Sequence, residues 1–470
     1  MKKTKVIATI GPSSSSEDIL RQMIIRGMDI ARFNMKYSSH DFCEKIIKKI
    51  NKINKELNKN VSILFDLEGP DIVIGKLISE SVTLNKDDKI RIYIEDIIGD
   101  ATKFSINYPS LIKDVKSNTI IKIEDSLVEL VVLEKSYNYI LCQVKKSGEI
   151  RENKTLRILD TKVDVDYLTE KDKKDIEFAN EMDIDFLSLS LVSSVEDVLK
   201  VNDELIKLNN DHMSIITKIE NENAIDDIDE ILKISDGIII ARGDLSIELP
   251  MERVPGLQKM IINKCHNSGK FSIVATEFLS TMQNNTNPTR AEVSDIANAV
   301  IDGVDVIQLS GETTIGLYPV LTIETIYKII ETAEYDFNYY EIMDKTIRTE
   351  NQDITGGVAS SVVECSNKLN TNAIVTLTMS GYTAKKISRF RPKNIIIAIA
   401  PNIKTVKELN IYYGVYPVLI EEIKSFDKIL EKASMIAKEI LKQNNGKIII
   451  TGGYPFNKVK HTNFMKIEEL

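Results

Sequence analysis

Cysteine is scarce. The 470-residue chain has four, Cys43, Cys142, Cys265 and Cys365, far apart and without a CxxC pair. That argues against a disulfide framework or a zinc site and fits reduced thiols in a cytosolic protein. Long apolar runs are absent too. No stretch reaches the roughly 18 residues a membrane-spanning helix needs, and the basic start MKKTKVIATIGP has too short an apolar stretch for a signal peptide. No membrane partner is expected. Nor is there an excess of basic residues: 61 Lys and Arg face 70 Asp and Glu, a net charge of -9. That balance argues against a nucleic-acid partner, although a local cluster of cations still permits an anionic substrate. The four histidines, His40, His212, His266 and His461, end no candidate strand. Each is expected at the surface or as a cap, and no Ser-His-Asp set is apparent. No GxxxxGK[ST] phosphate loop and no internal repeat occurs.

What is present is alternation. Short β-branched runs at Lys5–Thr9, Met28–Asn34, Val61–Asp66, Phe186–Ser190, Ser214–Lys218, Gly237–Ala241, Ser272–Thr276 and Val306–Leu309 read as strands. Amphipathic stretches follow most of them, at Glu17–Arg26, Phe42–Lys59, Lys171–Met182, Val195–Leu208, Ala224–Lys233 and Arg290–Asp302. Eight strands with helical crossovers point to a closed (β/α)8 barrel in the α/β class, with an open doubly wound sheet as the alternative. One crossover is too long. Residues 70–161 carry period-two patterning, as in Ile90, Ile92 and Ile94, and read as a small β-barrel domain inserted after the third strand. The barrel is then expected over 1–69 and 162–344. Asp344–Asp353 reads as a polar linker to an α/β domain over 345–470. That domain has a helix at Gly357–Lys368, a strand at Ala373–Leu377, a helix after Thr383, a strand at Asn394–Ala398 and a final strand at Lys447–Thr451.

In a parallel barrel, functional groups gather at the carboxyl ends of the strands. Here those ends carry Arg32, Asn34 and Lys36, then Asp66, Ser190, Lys218 with Glu220, Arg242–Gly243–Asp244, Thr276 with Glu277, and Ser310–Gly311–Glu312. Any one of these is ordinarily a solvated loop residue, and Lys218 with Glu220 also reads as a buried ion pair. Jointly they suit metal-assisted work on an anion. Glu220 and Asp244 are placed to share one Mg²⁺, and Lys218, Arg32 and Lys36 to bind phosphate or carboxylate oxygens. The Gly243 peptide offers an N–H where a ligand can approach closely.

Longer motifs are specific. KVIATIGPSS near the start, ARFN at 31–34, DLEGPDI at 66–72, TKIEN at 217–221, ARGDL at 241–245, NPTRAEVSDIANAVIDG at 287–303, LSGET at 309–313 and SRFRP at 388–392 run in order along the chain. Together they resemble the pyruvate kinase family. The resemblance implies transfer of a phosphoryl group from phosphoenolpyruvate to ADP, giving pyruvate and ATP. By the same resemblance, Glu220 and Asp244 hold Mg²⁺ or Mn²⁺, Lys218 stabilises the transferring phosphoryl group and the enolate, and Arg32 contacts the phosphate. Thr276 stands at the enolate face, and Gly243 and Asp244 offer backbone N–H groups to the substrate carboxylate. Arg32, Asn34 and Lys154 would serve the nucleotide, and Asn34, Asp66 and Leu67 a monovalent-cation site. Thr378, Ser380, Gly381 and Thr383 form a turn before a helix that suits a phosphosugar effector, with simple N-capping of that helix as the other reading. The family is usually a homotetramer.

The sequence departs from the family pattern at several of these points. Asn34-Met35-Lys36-Tyr37 stands for Asn-x-Ser-His, and Leu67 replaces a threonine. Lys36 is therefore expected to put an internal ammonium at the K⁺ site near Asp66, making a K⁺ requirement doubtful. Val73 and Ser193 replace two arginines, Glu277 a glutamine and Ser246 a glycine. In the inserted domain Lys154 persists and Arg157 adds a second cation. Two other readings stay open: an enzyme on the same scaffold with an altered acceptor or keto-acid enolisation, and a non-catalytic regulatory relative.

Overall fold

The computed structural model describes residues 1–124, 126–159, 161, 165–210, 213–349, 353–421, 425–455 and 461–470; His212 falls outside them. Eight parallel strands close into a barrel: β1 (Lys5–Thr9), β2 (Ile30–Asn34), β3 (Ser62–Asp66), β4 (Phe186–Leu189), β5 (Ser214–Ile219), β6 (Gly237–Ala241), β7 (Phe271–Ala275) and β8 (Val306–Leu309). Their order around the barrel is their order in the chain, and β1 closes on β8 with Lys5 opposite Val306. Buried Ile, Val, Leu and Phe dominate these strands, because both faces of a parallel barrel strand are covered. Helix starts follow local chemistry. Ser16, Ser39 and Thr169 cap theirs by accepting a backbone N–H in the first turn. The stretch expected as one helix over Ala224–Lys233 is two, Glu222–Asp226 and Ile228–Ile234. The break falls at Asp227, whose carboxylate accepts the Val195 N–H at 2.6 Å.

After β3 the chain builds a second unit from a six-stranded sheet and the two-stranded pair Val82–Leu84 with Gly148–Ile150. It has its own apolar core, including Ile90, Phe104, Tyr108 and Val132. The C-terminal unit is a five-stranded sheet in the order Val415–Leu419, Ile395–Ala400, Ala373–Leu377, Lys447–Gly452, Phe464–Glu469. Two expectations are corrected here. The last strand is Phe464–Glu469, antiparallel to Lys447–Gly452; its largely exposed, charged edge pattern hid it. The stretch read as a linker over Asp344–Asp353 is helical through Thr349, in a helix running from Tyr339. Tyr339 and Met343 are buried there, which holds an otherwise polar segment in place.

The barrel has one closed end and one open end. Inward residues near the strand starts, among them Ile7, Phe186 and Phe271, share one core with Leu409, Ile411 and Tyr412 of the C-terminal unit. The Phe271 and Tyr412 rings meet edge to face at 5.4 Å. Polar chemistry is thereby confined to the carboxyl ends, under the inserted domain. His266 joins barrel to C-terminal unit instead of lying at the surface or capping. Its Nε2 lies 2.6 Å from the Arg389 carbonyl, and Arg389 Nε donates to the His266 carbonyl at 3.0 Å.

Candidate active site at the carboxyl rim

Lys218, near the end of β5, is the hub. Its ammonium lies 2.7 Å from Glu220 Oε1 and 3.7 Å from Asp66 Oδ2, and donates to Ser190 Oγ at 2.9 Å. Burial by itself lowers its pKa, but Asp66, Glu220 and Asp244 outweigh it and hold the ammonium well above the usual lysine range. Lys218 is therefore a fixed cation at neutral pH, not a base. Asp66 is buried at the end of β3, and Arg32 from β2 grips its Oδ2 through Nε at 3.1 Å and through NH2. The third guanidinium nitrogen of Arg32, NH1, donates to Thr9 Oγ1 at 2.7 Å. Ser188 Oγ donates to Asp66 Oδ1 at 2.6 Å. Burial pushes the Asp66 carboxyl up, and Arg32 and Lys218 more than reverse it, leaving it below the usual carboxylate range.

The second oxygen of Glu220 accepts the Leu191 N–H at 2.5 Å. Leu191 follows β4 at φ 60°, a left-handed conformation rare for leucine. Thr276 and Glu277 after β7 share it, with φ 73° and 60°. For a β-branched residue this is strain of order 1–3 kcal/mol, of the kind that gathers at functional sites. Two contacts hold Thr276 there: its Oγ1 accepts the Gly243 N–H at 3.0 Å, and its carbonyl accepts from Arg242 NH2 at 2.7 Å. Arg242 is itself held by Asp295 at 2.8 Å and lies over the Phe278 ring. Asp244 sits in the first turn of the helix Arg242–Glu248.

The fold thus brings together Arg32, Asp66, Lys218 and Glu220, with Gly243, Asp244 and Thr276 beside them. Asn34 lies opposite Asp66 in the β2–β3 register, and its side chain accepts the Lys36 N–H at 3.0 Å. Lys36 departs from expectation: its ammonium pairs with Asp71 and lies 3.8 Å from Glu68, with no ion pair to Asp66 among the described residues. The reason is competition, since Arg32 and Lys218 already neutralise Asp66. Leu67 buries its side chain, and its carbonyl accepts from Ser190 Oγ at 2.7 Å. Lys154 pairs with Glu124 within the inserted domain at 2.7 Å. Thr378, Ser380, Gly381 and Thr383 lie apart, in the C-terminal unit. The helix Tyr382–Arg389 has Gly381 at its N-cap and no side-chain cap bond, so simple capping does not account for this turn; Thr383 Oγ1 instead meets Thr462 Oγ1 at 2.8 Å.

Residues the sequence reading left out also matter. Thr9 and Ser188 fill the inner bonding positions of Arg32 and Asp66; alternation along β4 was the available signal for Ser188. Asp71 gathers two cations, Lys36 and Arg157, which no local pattern announces.

Two carboxylates, Glu220 and Asp244, both lie close enough to Lys218 and Arg157 to act on their charges, and no group of three or more His, Cys, Asp and Glu forms a full metal cage among the described residues. That donor set fits Mg²⁺, which characteristically takes one or two carboxylates and completes its shell with water and substrate oxygens.

A closed (β/α)8 barrel with fixed cations and a carboxylate pair at its carboxyl rim defines an enzyme that handles an anion. Comparison narrows this. The family model described as pyruvate kinase, barrel domain, matches residues 1–323, and that described as pyruvate kinase, alpha/beta domain, matches 357–468. Pyruvate kinases of Staphylococcus saprophyticus and Staphylococcus aureus are each 38% identical over 470 residues, covering 99% of this chain and 80% of theirs. The chain belongs to the pyruvate kinase family, and it is a phosphotransferase enzyme.

Proposed function

We propose that this chain transfers the phosphoryl group of phosphoenolpyruvate to ADP, giving pyruvate and ATP, at the rim centred on Lys218. The observation that carries the reading is the Lys218 ammonium, held charged between Glu220 and Asp66. Phosphoryl transfer needs positioning and neutralisation of developing charge, not a covalent nucleophile. Lys218 and Arg32 supply fixed positive charge to the phosphoryl and enolate oxygens. Glu220 and Asp244 would hold Mg²⁺ or Mn²⁺, which when bound would neutralise charge on the phosphoryl group. The Asp244 N–H would receive the substrate carboxylate, joined by the Gly243 N–H once it leaves Thr276 Oγ1, its present acceptor, and Thr276 would face the enolate carbon that takes a proton. Asn34 and Lys154 would serve the nucleotide.

The retained rim also supports this reading against a non-catalytic relative, because a binding protein has no need of a strained Thr276 or of a buried ammonium set among carboxylates. Lys36, paired with Asp71, is read as an internal substitute for a monovalent cation. The uncapped turn at Gly381 suits a phosphosugar effector, and the assembly is read as a homotetramer. A coupled assay with phosphoenolpyruvate, ADP and Mg²⁺, run with and without K⁺, tests the reaction. Pyruvate formed at a rate indifferent to K⁺ is the expected result; none with any nucleoside diphosphate would remove it.

A further inference from the structure

Two cations of the inserted domain stand side by side over one barrel helix. The strand Leu156–Ile158 pairs with Ile120–Ile123 so that Arg157 lies opposite Lys122. Both reach the helix Arg242–Glu248. Lys122 Nζ donates to the Ile247 carbonyl near its C-terminal end, where a cation is favoured. Arg157 NH2 approaches Asp244 Oδ1, in the first turn, to 3.9 Å, while its NH1 donates to Asp71 at 3.3 Å. The two differ in what remains available. Lys122 is engaged by a structural carbonyl. Arg157 makes a single hydrogen bond, through NH1, among the described residues. Burial by itself lowers the Arg157 pKa, but Asp71 and Asp244 raise it above the ordinary arginine value.

We propose that Arg157 is a catalytic residue supplied by the inserted domain, whose guanidinium holds the oxygens of the phosphoryl group as it moves. This rests on the reading of Glu220 and Asp244 as the metal pair. A phosphoryl group held at that pair would lie next to Asp244, and so next to Arg157. The planar guanidinium fork matches phosphoryl oxygens two at a time, and Asp71 fixes its orientation. In the step, the bond from phosphorus to the enolate oxygen breaks and a bond to a β-phosphate oxygen of ADP forms. The enolate then takes a proton at carbon, and Arg157 keeps its own protons throughout.

The test compares R157Q, R157K and K122M with the parent, as full-length proteins. R157Q is expected to lose about 10²–10³-fold in kcat, while Mn²⁺ binding, followed by electron paramagnetic resonance without substrates, stays equal or tightens. R157K, which keeps the charge beside Asp71 and guards against loss of the fold, should recover part of the rate. K122M should lose far less than R157Q, since Lys122 only anchors the domain. Equal losses in K122M and R157Q would reduce Arg157 to domain docking and overturn the proposal, as would an R157Q kcat within about threefold of the parent. If Mn²⁺ affinity is unchanged in E220Q and D244N, the metal reading itself falls and takes the proposal with it.

Discussion

The Lys218 ammonium and the Glu220 carboxylate lie 2.7 Å apart although the sequence separates them by one residue, Ile219. In an ideal strand, residues i and i+2 face the same side. Lys218 lies at the barrel rim and Glu220 just beyond the last strand residue, so both reach the same polar space. The pair is closed from behind by Asp66 and from the side by the Leu191 N–H.

Replacing Lys218 by Met should abolish turnover, with a loss of roughly 10²–10³-fold or more in kcat for a group that stabilises transition-state charge. Mn²⁺ should still bind, because Glu220 and Asp244 remain. Single-turnover rates and metal titration of the same sample check this; undiminished turnover would refute the role.

Asp66→Asn removes the partner of two buried cations, Arg32 and Lys218. Breaking a buried pair costs about 3–5 kcal/mol, measurable by urea denaturation. The Asp66 carboxyl is depressed in the folded state, so its stabilising contribution is complete above the unfolded value of about 3.9 and is lost as pH falls through the folded value. The gap between parent and variant should therefore hold from neutral pH to about pH 4.5 and narrow below about pH 4.

Asp185 behaves in the opposite sense. It lies before β4, accepts the Ile63 N–H at 2.8 Å, and burial pushes its carboxyl up to about 6 despite Lys407 at 3.8 Å. The folded protein thus holds this proton more tightly than the unfolded chain. The associated stability is complete below about pH 4 and lost as pH rises through about 6. Asp185→Asn should be more stable than the parent at pH 7.5 by on the order of 1–3 kcal/mol, and the advantage should vanish near pH 4.

Thr276→Ser keeps the hydroxyl that accepts from Gly243, whereas Thr276→Ala removes it. The serine variant should retain most activity. The alanine variant should lose more in kcat than in the Michaelis constant for phosphoenolpyruvate, as expected when an interaction made in the transition state is removed. Steady-state kinetics on both variants decide it.

Lys36→Ser removes the ammonium from Asp71. If that ammonium replaces a monovalent cation, the parent should be indifferent to K⁺ and the variant should depend on it. A parent rate that rises strongly with added K⁺ would sink the idea.

The sequence by itself determined the eight barrel strands, several of the helices between them and the groups that end each strand, but not the strand Val415–Leu419 or the helices Val254–Asn267, Pro319–Ala333, Ile403–Leu409 and Phe426–Leu441. What it determined depends on period, capping residues and turn chemistry, all of which act within a few positions. It could not reveal the helix at Tyr339–Thr349, whose polar stretch is held by burial of Tyr339 and Met343, or the edge strand Phe464–Glu469, which exists because Lys447–Gly452 offers it a ladder. The tertiary structure alone decided which cation meets which carboxylate. Asp66 belongs to Arg32 and Lys218, Lys36 goes to Asp71, and Arg157 reaches across from the inserted domain to Asp244. Such choices follow from barrel closure and domain docking. Ion pairing depends on distance and burial between residues far apart in the chain, and no local pattern records it.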